Sequence, residues 1–219
     1  MNLFSPLELI RDDPLAFALL AAAIILAISL HEYAHALAAD LQGDRLPRAM
    51  GRVSLNPVRH LDPLGTLLIF LVGFGWGKPV EFRRQALSSE RFGAAIVALA
   101  GPMMNLFLAF LGALGMAWVV ASEGSETLLN FFFTFFTINV FLAVLNLIPI
   151  PPLDGSRLLT IFLPPSKQHI LFFLDRYGIF ILLLLLLFGG SVFLNPIVDW
   201  LGRLLAPGDV ERLIYGLAA

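Results

Sequence analysis

Cysteine is absent from the 219-residue chain. That excludes disulfides, a thiolate metal site and a cysteine nucleophile together, so any metal must be held by histidine and carboxylate. Charge is scarce too: charged side chains make up 14% of the chain, against roughly a quarter in soluble domains. With 58% hydrophobic residues and a mean hydropathy of +0.86, the composition is that of an integral membrane protein. The formal net charge is −2, and the basic residues lie in loops without interleaved exposed aromatics, so nothing points to a nucleic-acid partner. Histidine is limited to four residues, too few for the histidine-rich centre of a membrane di-iron desaturase or hydroxylase. There is no Gly-x-Ser-Gly for a membrane serine protease, and no second membrane aspartate set to pair with Asp154 as an aspartyl dyad.

What the chain has is long uncharged runs. The first, Pro14 to Leu30, extends as helix to Leu41, with no Pro or Gly between Leu15 and Gln42, and Gly43 closes it. Asp12 and Asp13 precede it, and cleavage at Ala36-Leu37-Ala38 would cut off its polar end, so it reads as a retained span and not a signal peptide. Phe92–Ser122 and Thr127–Ile148 are the second and third spans and Tyr177–Val198 the fourth; residues 1–13 are a lead with no fold of their own. Gly101-Pro102 should kink or break the second span. Pro63–Gly77 is apolar but too short to cross, since a span needs about twenty residues, and reads as re-entrant. Arg45–Asp62 and the stretch after Lys78 read as short surface strands, residues 156–176 as an interfacial helix and 199–219 as an amphipathic tail. The fold expected is an α-helical polytopic membrane protein of about four transmembrane helices with a re-entrant segment and short surface strands. It is a single domain over residues 1–219, with its core at about 14–156.

The chemistry concentrates at His31-Glu32-Tyr33-Ala34-His35. Residues four apart share one helix face, so His31 and His35 can close on one ion while Glu32 reaches the space beside it. Ionisable groups on a membrane helix are costly and normally face a protein interior where they carry function. A catalytic zinc takes three protein ligands and keeps one position open, so a third ligand is needed. The candidates are His60, Asp62, Asp154, His169 and Asp175. Asp154 is the best placed: three prolines among residues 149–152 force the third span to unwind just before it, and Gly155 after it lets backbone approach closely. It also suits the N-cap of a following helix. His60 has an ordinary explanation as an interfacial histidine paired to Asp62. Asn105, inside the second span, suits either helix packing or function.

With Leu153-Asp154-Gly155 in place, the chain resembles the site-2 protease family of intramembrane zinc metalloproteases over about residues 14–156, in its small branch without PDZ or CBS domains. The resemblance implies that His31, His35 and Asp154 bind one zinc ion per chain and that Glu32 activates water. It also implies that Asn146, eight residues before Asp154, steadies the reaction intermediate. The substrate would be a transmembrane-helix protein cut in or near the bilayer. The rival readings are a transporter or proton channel relaying through Glu32 and Asp154, and a non-proteolytic membrane metalloenzyme. If His35 and Asp154 share one ion, the chain between them crosses the membrane an even number of times. Eight of the fourteen Lys and Arg lie between Asp40 and Arg91. By the positive-inside tendency the site then faces the cytoplasm of a bacterial-type cell membrane.

Overall fold

The computed structural model describes residues 6–72, 75–163 and 167–206, together with Gly208, Val210 and Ile214. Where the sequence suggested an unstructured lead, a short helix α1 (Pro6–Asp12) precedes the first long one. Asp13 separates them, its carboxylate accepting from the Ala16 N–H at 2.9 Å, with Pro14 at the first helical position. Helix α2 (Pro14–Leu41) has the bounds read from sequence, and Gly43, at φ 110°, turns the chain out of it.

The region expected to form surface strands is instead a run of short helical pieces. These are α3 (Leu46–Ala49), a 3₁₀ turn at Pro57–Arg59, α4 (Pro63–Val72) and a second 3₁₀ turn at Arg84–Ala86. Among the described residues the strands are represented by one antiparallel bridge, Leu61 to Gly77. Pro47, Pro57, Pro63 and Pro79 each remove a ladder donor, and the polar side chains that looked like an exposed strand face are committed elsewhere. Asp40 accepts from Arg45 at 3.1 Å and from Arg48 at 2.7 Å, and Asp44 accepts from the Arg83 backbone N–H and guanidinium. Burial alone would raise the Asp44 carboxyl, but the N–H groups of Arg83 and Leu46 and the Arg83 guanidinium outweigh it and hold the group below the ordinary carboxylate range.

Helix α4 is ten residues, about 15 Å long at 1.5 Å per residue, half of a hydrocarbon core. Asp62 caps it by accepting from the Gly65 N–H at 2.8 Å and does not pair with His60. His60 is fully buried, donates from Nε2 to the Ser54 carbonyl at 2.6 Å, and is held below its ordinary pKa by burial. The segment returns to its starting side: Ser88 donates to Gln42 at 3.3 Å, and Leu87 packs on Ala39 at the polar end of α2. Gly73 and Phe74, at the far end of this excursion, lie outside the described residues.

Helices α5 (Glu90–Ala121) and α6 (Glu126–Leu147) make the next two crossings. Pro102 leaves α5 a single helix. The core lies where α5 meets α6, with Ala109, Ala113 and Met116 against Phe136 and Val140. A smaller cluster of Ala23, Leu108 and Phe135 joins α2 to both. Small residues on α5 let the helices approach closely where no water-driven force separates protein from lipid.

After α6 the chain forms α7 (Gly155–Phe162), α8 (Gln168–Leu184), a π-helical continuation over Leu185–Leu194, and α9 (Asn195–Leu205). The fourth apolar span is His169–Gly190, starting eight residues before the sequence-based bound; of the stretch 156–176 read as an interfacial helix, α7 takes the part to Phe162 and α8 the part from Gln168. His169 and Asp175 made that start look like solvated surface; both are exposed, on the outside of one continuous helix. Pro164 and Pro165 lie outside the described residues, as do 211–213 and 215–219 of the tail. Part of that tail packs inward, with Leu201 and Leu205 of α9 against the α5–α6 core.

This topology sets an accessibility pattern. Single cysteines at Gln42 and Ser88 should label from the same membrane face with an impermeant thiol reagent, and one at Ser125 from the opposite face. Labelling of Gln42 and Ser88 from different faces would mean that Pro63–Gly77 crosses.

Candidate metal centre

Helices α2 and α5 run antiparallel in a matched four-residue register. Along α5, Val97, Gly101 and Asn105 fall on one stripe. His35 donates from Nδ1 to the Val97 carbonyl at 2.6 Å, and His31 Nδ1 lies 2.5 Å from Asn105 Oδ1. The Val97 and Asn105 oxygens accept, so each ring carries its hydrogen on Nδ1 and turns a bare Nε2 inward. Between the two contacts lies Gly101: a Cβ there would sit 2.6 Å from His31 Nε2 and collide with His35 Nε2.

The third group comes from the unwound end of α6. Asp154 follows the Pro149–Pro152 break, and Gly155 lets this turn fold against the last carbonyls of α6, where a side chain would strike Leu147 and Ile148. Asp154 Oδ2 is 3.1 Å from His31 Nε2 and 3.0 Å from His35 Nε2, and the two Nε2 atoms are 3.0 Å apart. Both histidines are buried. Three atoms held at about 2.0–2.2 Å from a single tetrahedral ion lie roughly 3.3–3.6 Å from one another, so the triangle of 3.0–3.1 Å takes a small divalent metal with a slight spreading of the three groups. Among the described residues this is the cluster of His, Asp and Glu side chains that meets the spacing for a shared ion.

The cluster opens on a largely apolar cavity of about 590 Å³, whose wall includes Glu32, Asn146, Trp76, Val80 and Arg157. Glu32 Oε2 lies 3.7 Å from the guanidinium of Arg52, which is 3% exposed and also donates to the Lys78 carbonyl. Asn146 donates to the Leu142 carbonyl at 3.0 Å, leaving its second N–H uncommitted by that bond.

The family model described as Peptidase family M50 matches residues 19–123 and 115–188. The chain belongs to peptidase family M50. It is therefore a metalloprotease of the site-2 type and a multi-pass membrane protein, with four helices among the described residues long and apolar enough to cross. It is 37% identical over 186 residues to the Bacillus subtilis protein named "Putative zinc metalloprotease YwhC", covering 80% of this chain and 84% of that one. It is 30% identical over 223 residues to the Mycobacterium tuberculosis protein named "Putative zinc metalloprotease Rip2", covering 94% and 85%. No solved structure matches.

The structure of this M50 metalloprotease brings together His31, His35 and Asp154, with Glu32 and Asn146 on the same cavity wall. His60, Asp62, His169 and Asp175 are not in the cluster, and the last two are exposed on α8. Sequence reasoning left Asn105 between packing and function, and it touches His31 directly. It read Gly101 only as part of a kink, and it passed over Asn139 and Arg52 as site residues. The four-residue step Val97, Gly101, Asn105 was the available signal for Gly101.

Gly101→Ala should push the two imidazoles apart and weaken metal retention by at least about tenfold, the lower end of what disturbing a ligand's supporting contacts costs. Metal analysis of the purified variant reads this directly. Undiminished content would show that the rings shift without loss.

Proposed function

We propose that the protein hydrolyses peptide bonds in or near transmembrane helices of membrane-protein substrates. His31, His35 and Asp154 would hold one zinc ion per chain, and Glu32 would serve as general base. The observation that carries the reading is the convergence of two bare Nε2 atoms and a carboxylate oxygen within 3.0–3.1 Å, a cluster of lone pairs that repel unless a cation joins them. A proton relay through Glu32 and Asp154 requires no such pair of histidines. When bound, zinc supplies a Lewis acid that brings the pKa of water to about 7 and polarises the substrate carbonyl.

The chain's own groups then do the rest. Glu32, on the cavity wall, takes the proton of the attacking water and returns it to the leaving amine. The free N–H of Asn146 faces the developing oxyanion and stabilises it. A helix hides its carbonyls in its own hydrogen bonds, so the substrate must unwind to be cut. Trp76–Val80, an extended segment that contributes to the cavity wall, offers backbone against which an unwound substrate can lie. The clustering of basic residues at the end of the molecule that bears Gln42 and Ser88 supports a cytoplasmic orientation for that end and for the site beside it.

Glu32→Gln should retain zinc and lose cleavage of a single-span helical peptide by at least about 10²-fold, since the amide has the same shape but cannot take the proton. Substantial turnover by that variant would remove Glu32 from the base role. Asn146→Ala should cost on the order of 10²-fold or more in turnover, and a full-rate variant would confine Asn146 to helix packing. Chelation should abolish cleavage and zinc should restore it, with metal analysis giving one zinc per active chain. Activity that survives complete zinc removal would overturn the proposal.

A further inference from the structure

The cavity, the paired arginines at the membrane surface and the exposed faces of α8 all belong to features already described or lack anything to define an occupant. The buried amides of the second and third crossings do not. Asn105 and Asn139 are both fully buried in the bundle, on α5 and α6, inside uncharged, largely apolar runs. Each buried amide must find partners for two donors and an acceptor, and a half-satisfied pair costs more than an apolar contact.

The partners they find have a fixed direction. Asn139 Nδ2 donates to the Phe135 carbonyl at 2.8 Å, an oxygen that can only accept. Asn139 Oδ1 is thereby turned toward α5, where it accepts from Asn105 Nδ2 at 2.8 Å. The same Asn105 NH₂ group also faces the Ala27 carbonyl on α2, at 3.4 Å. With both sides of that NH₂ group facing oxygens, Asn105 Oδ1 has one orientation left, toward His31 Nδ1 at 2.5 Å. Reversing the Asn105 amide would set its oxygen against two others and present an N–H to the histidine. The ring would then have to carry its hydrogen on Nε2, the atom aimed at Asp154 and His35.

We infer that Asn139 is a positioning residue for the metal centre: through Asn105 it locks the polarity of a hydrogen-bond chain running from the α6 backbone to His31, keeping Nε2 bare. It rests on the reading that His31 is a metal ligand. Asn139 itself contacts neither the cluster nor the cavity wall. The chain of amides also ties α2, α5 and α6 together at one level of the bundle, so the same groups that orient the ligand fix the register of the helices.

The test is zinc affinity, measured by competition with a chromophoric chelator on the purified full-length protein in detergent. Asn139→Leu fills a similar volume without polar atoms and frees the Asn105 amide to reverse; zinc binding should weaken about 10- to 100-fold, as for loss of a ligand's hydrogen-bond support. Asn139→Asp, neutral when buried, still donates to Phe135 and accepts from Asn105, and should bind zinc within a few-fold of the parent. Equal affinity for Asn139→Leu and the parent would overturn the inference, and so would equal weakening by Leu and Asp, which would make Asn139 a packing residue. Should Asn139→Leu not fold, Asn139→Ala is read in the same way. His31→Ala is measured alongside: if it binds zinc like the parent, the ligand assignment fails; if it does not and Asn139→Leu is unchanged, only the present inference fails.

Discussion

Three lone pairs brought within about 3 Å of one another, in a place from which bulk water is largely excluded, are what the rest of this structure has to answer for. Left alone, Nε2 of His31, Nε2 of His35 and Oδ2 of Asp154 would push apart. Each is held by something behind it: a side-chain amide for His31, a backbone carbonyl for His35, and a proline-broken helix end for Asp154. That requirement dictates the order of the crossings. Helix α2 supplies two groups at a four-residue step, α5 must lie against them closely enough for a glycine to be obligatory, and α6 must end at the same depth as His35. An even number of crossings between α2 and Asp154 follows, and with it the return of α4 to the face from which it entered.

The parts of this arrangement legible in the sequence were the local ones. A four-residue step on a helix without breakers places His31 and His35 on one face whatever the tertiary structure, and Pro149, Pro151 and Pro152 end a helix by covalent geometry alone. The bounds of α2, α5 and α6 were likewise set by composition and by single residues such as Gly43. Illegible were the properties that depend on which helix faces which. Asn139 sits in a run of Phe, Thr, Ile and Val with no local sign of its use, and it acquires one only when α5 brings Asn105 opposite. The surface strands failed for a related reason: alternation of Arg with apolar residues between Arg45 and Asp62 imitates a strand, whereas Arg45 and Arg48 reach Asp40, and Arg52 approaches Glu32, on α2.

Arg52 illustrates the point at closest range. Read along the chain it is one of four arginines in a polar stretch, indistinguishable from Arg45, Arg48 and Arg59. In the fold it is buried, while Arg45 and Arg48 hold their charges at the surface, and it joins Glu32 on α2 to the carbonyl of Lys78. Both contacts are made by one nitrogen, Nη2, which donates to the Lys78 carbonyl and lies 3.7 Å from the Glu32 carboxylate. The side chain proposed to handle the proton and the segment proposed to hold the substrate are thus fastened to one another through a residue on neither.

The cluster formed by Asp40 with Arg45 and Arg48 has a consequence for where a substrate can be cut. Two charged side chains reaching toward solvent from a buried carboxylate suit that turn of α2 to the headgroup level. His35 and His31 lie five and nine residues further along the same helix, about 7 and 13 Å along its axis at 1.5 Å per residue. With that turn at the surface of a hydrocarbon layer of about 30 Å, a bond cut by the mechanism proposed above would be offered between a quarter and a half of the way in. α2 is a depth gauge as well as a scaffold, and a target helix would be selected in part by how far below the surface its weakest turn lies.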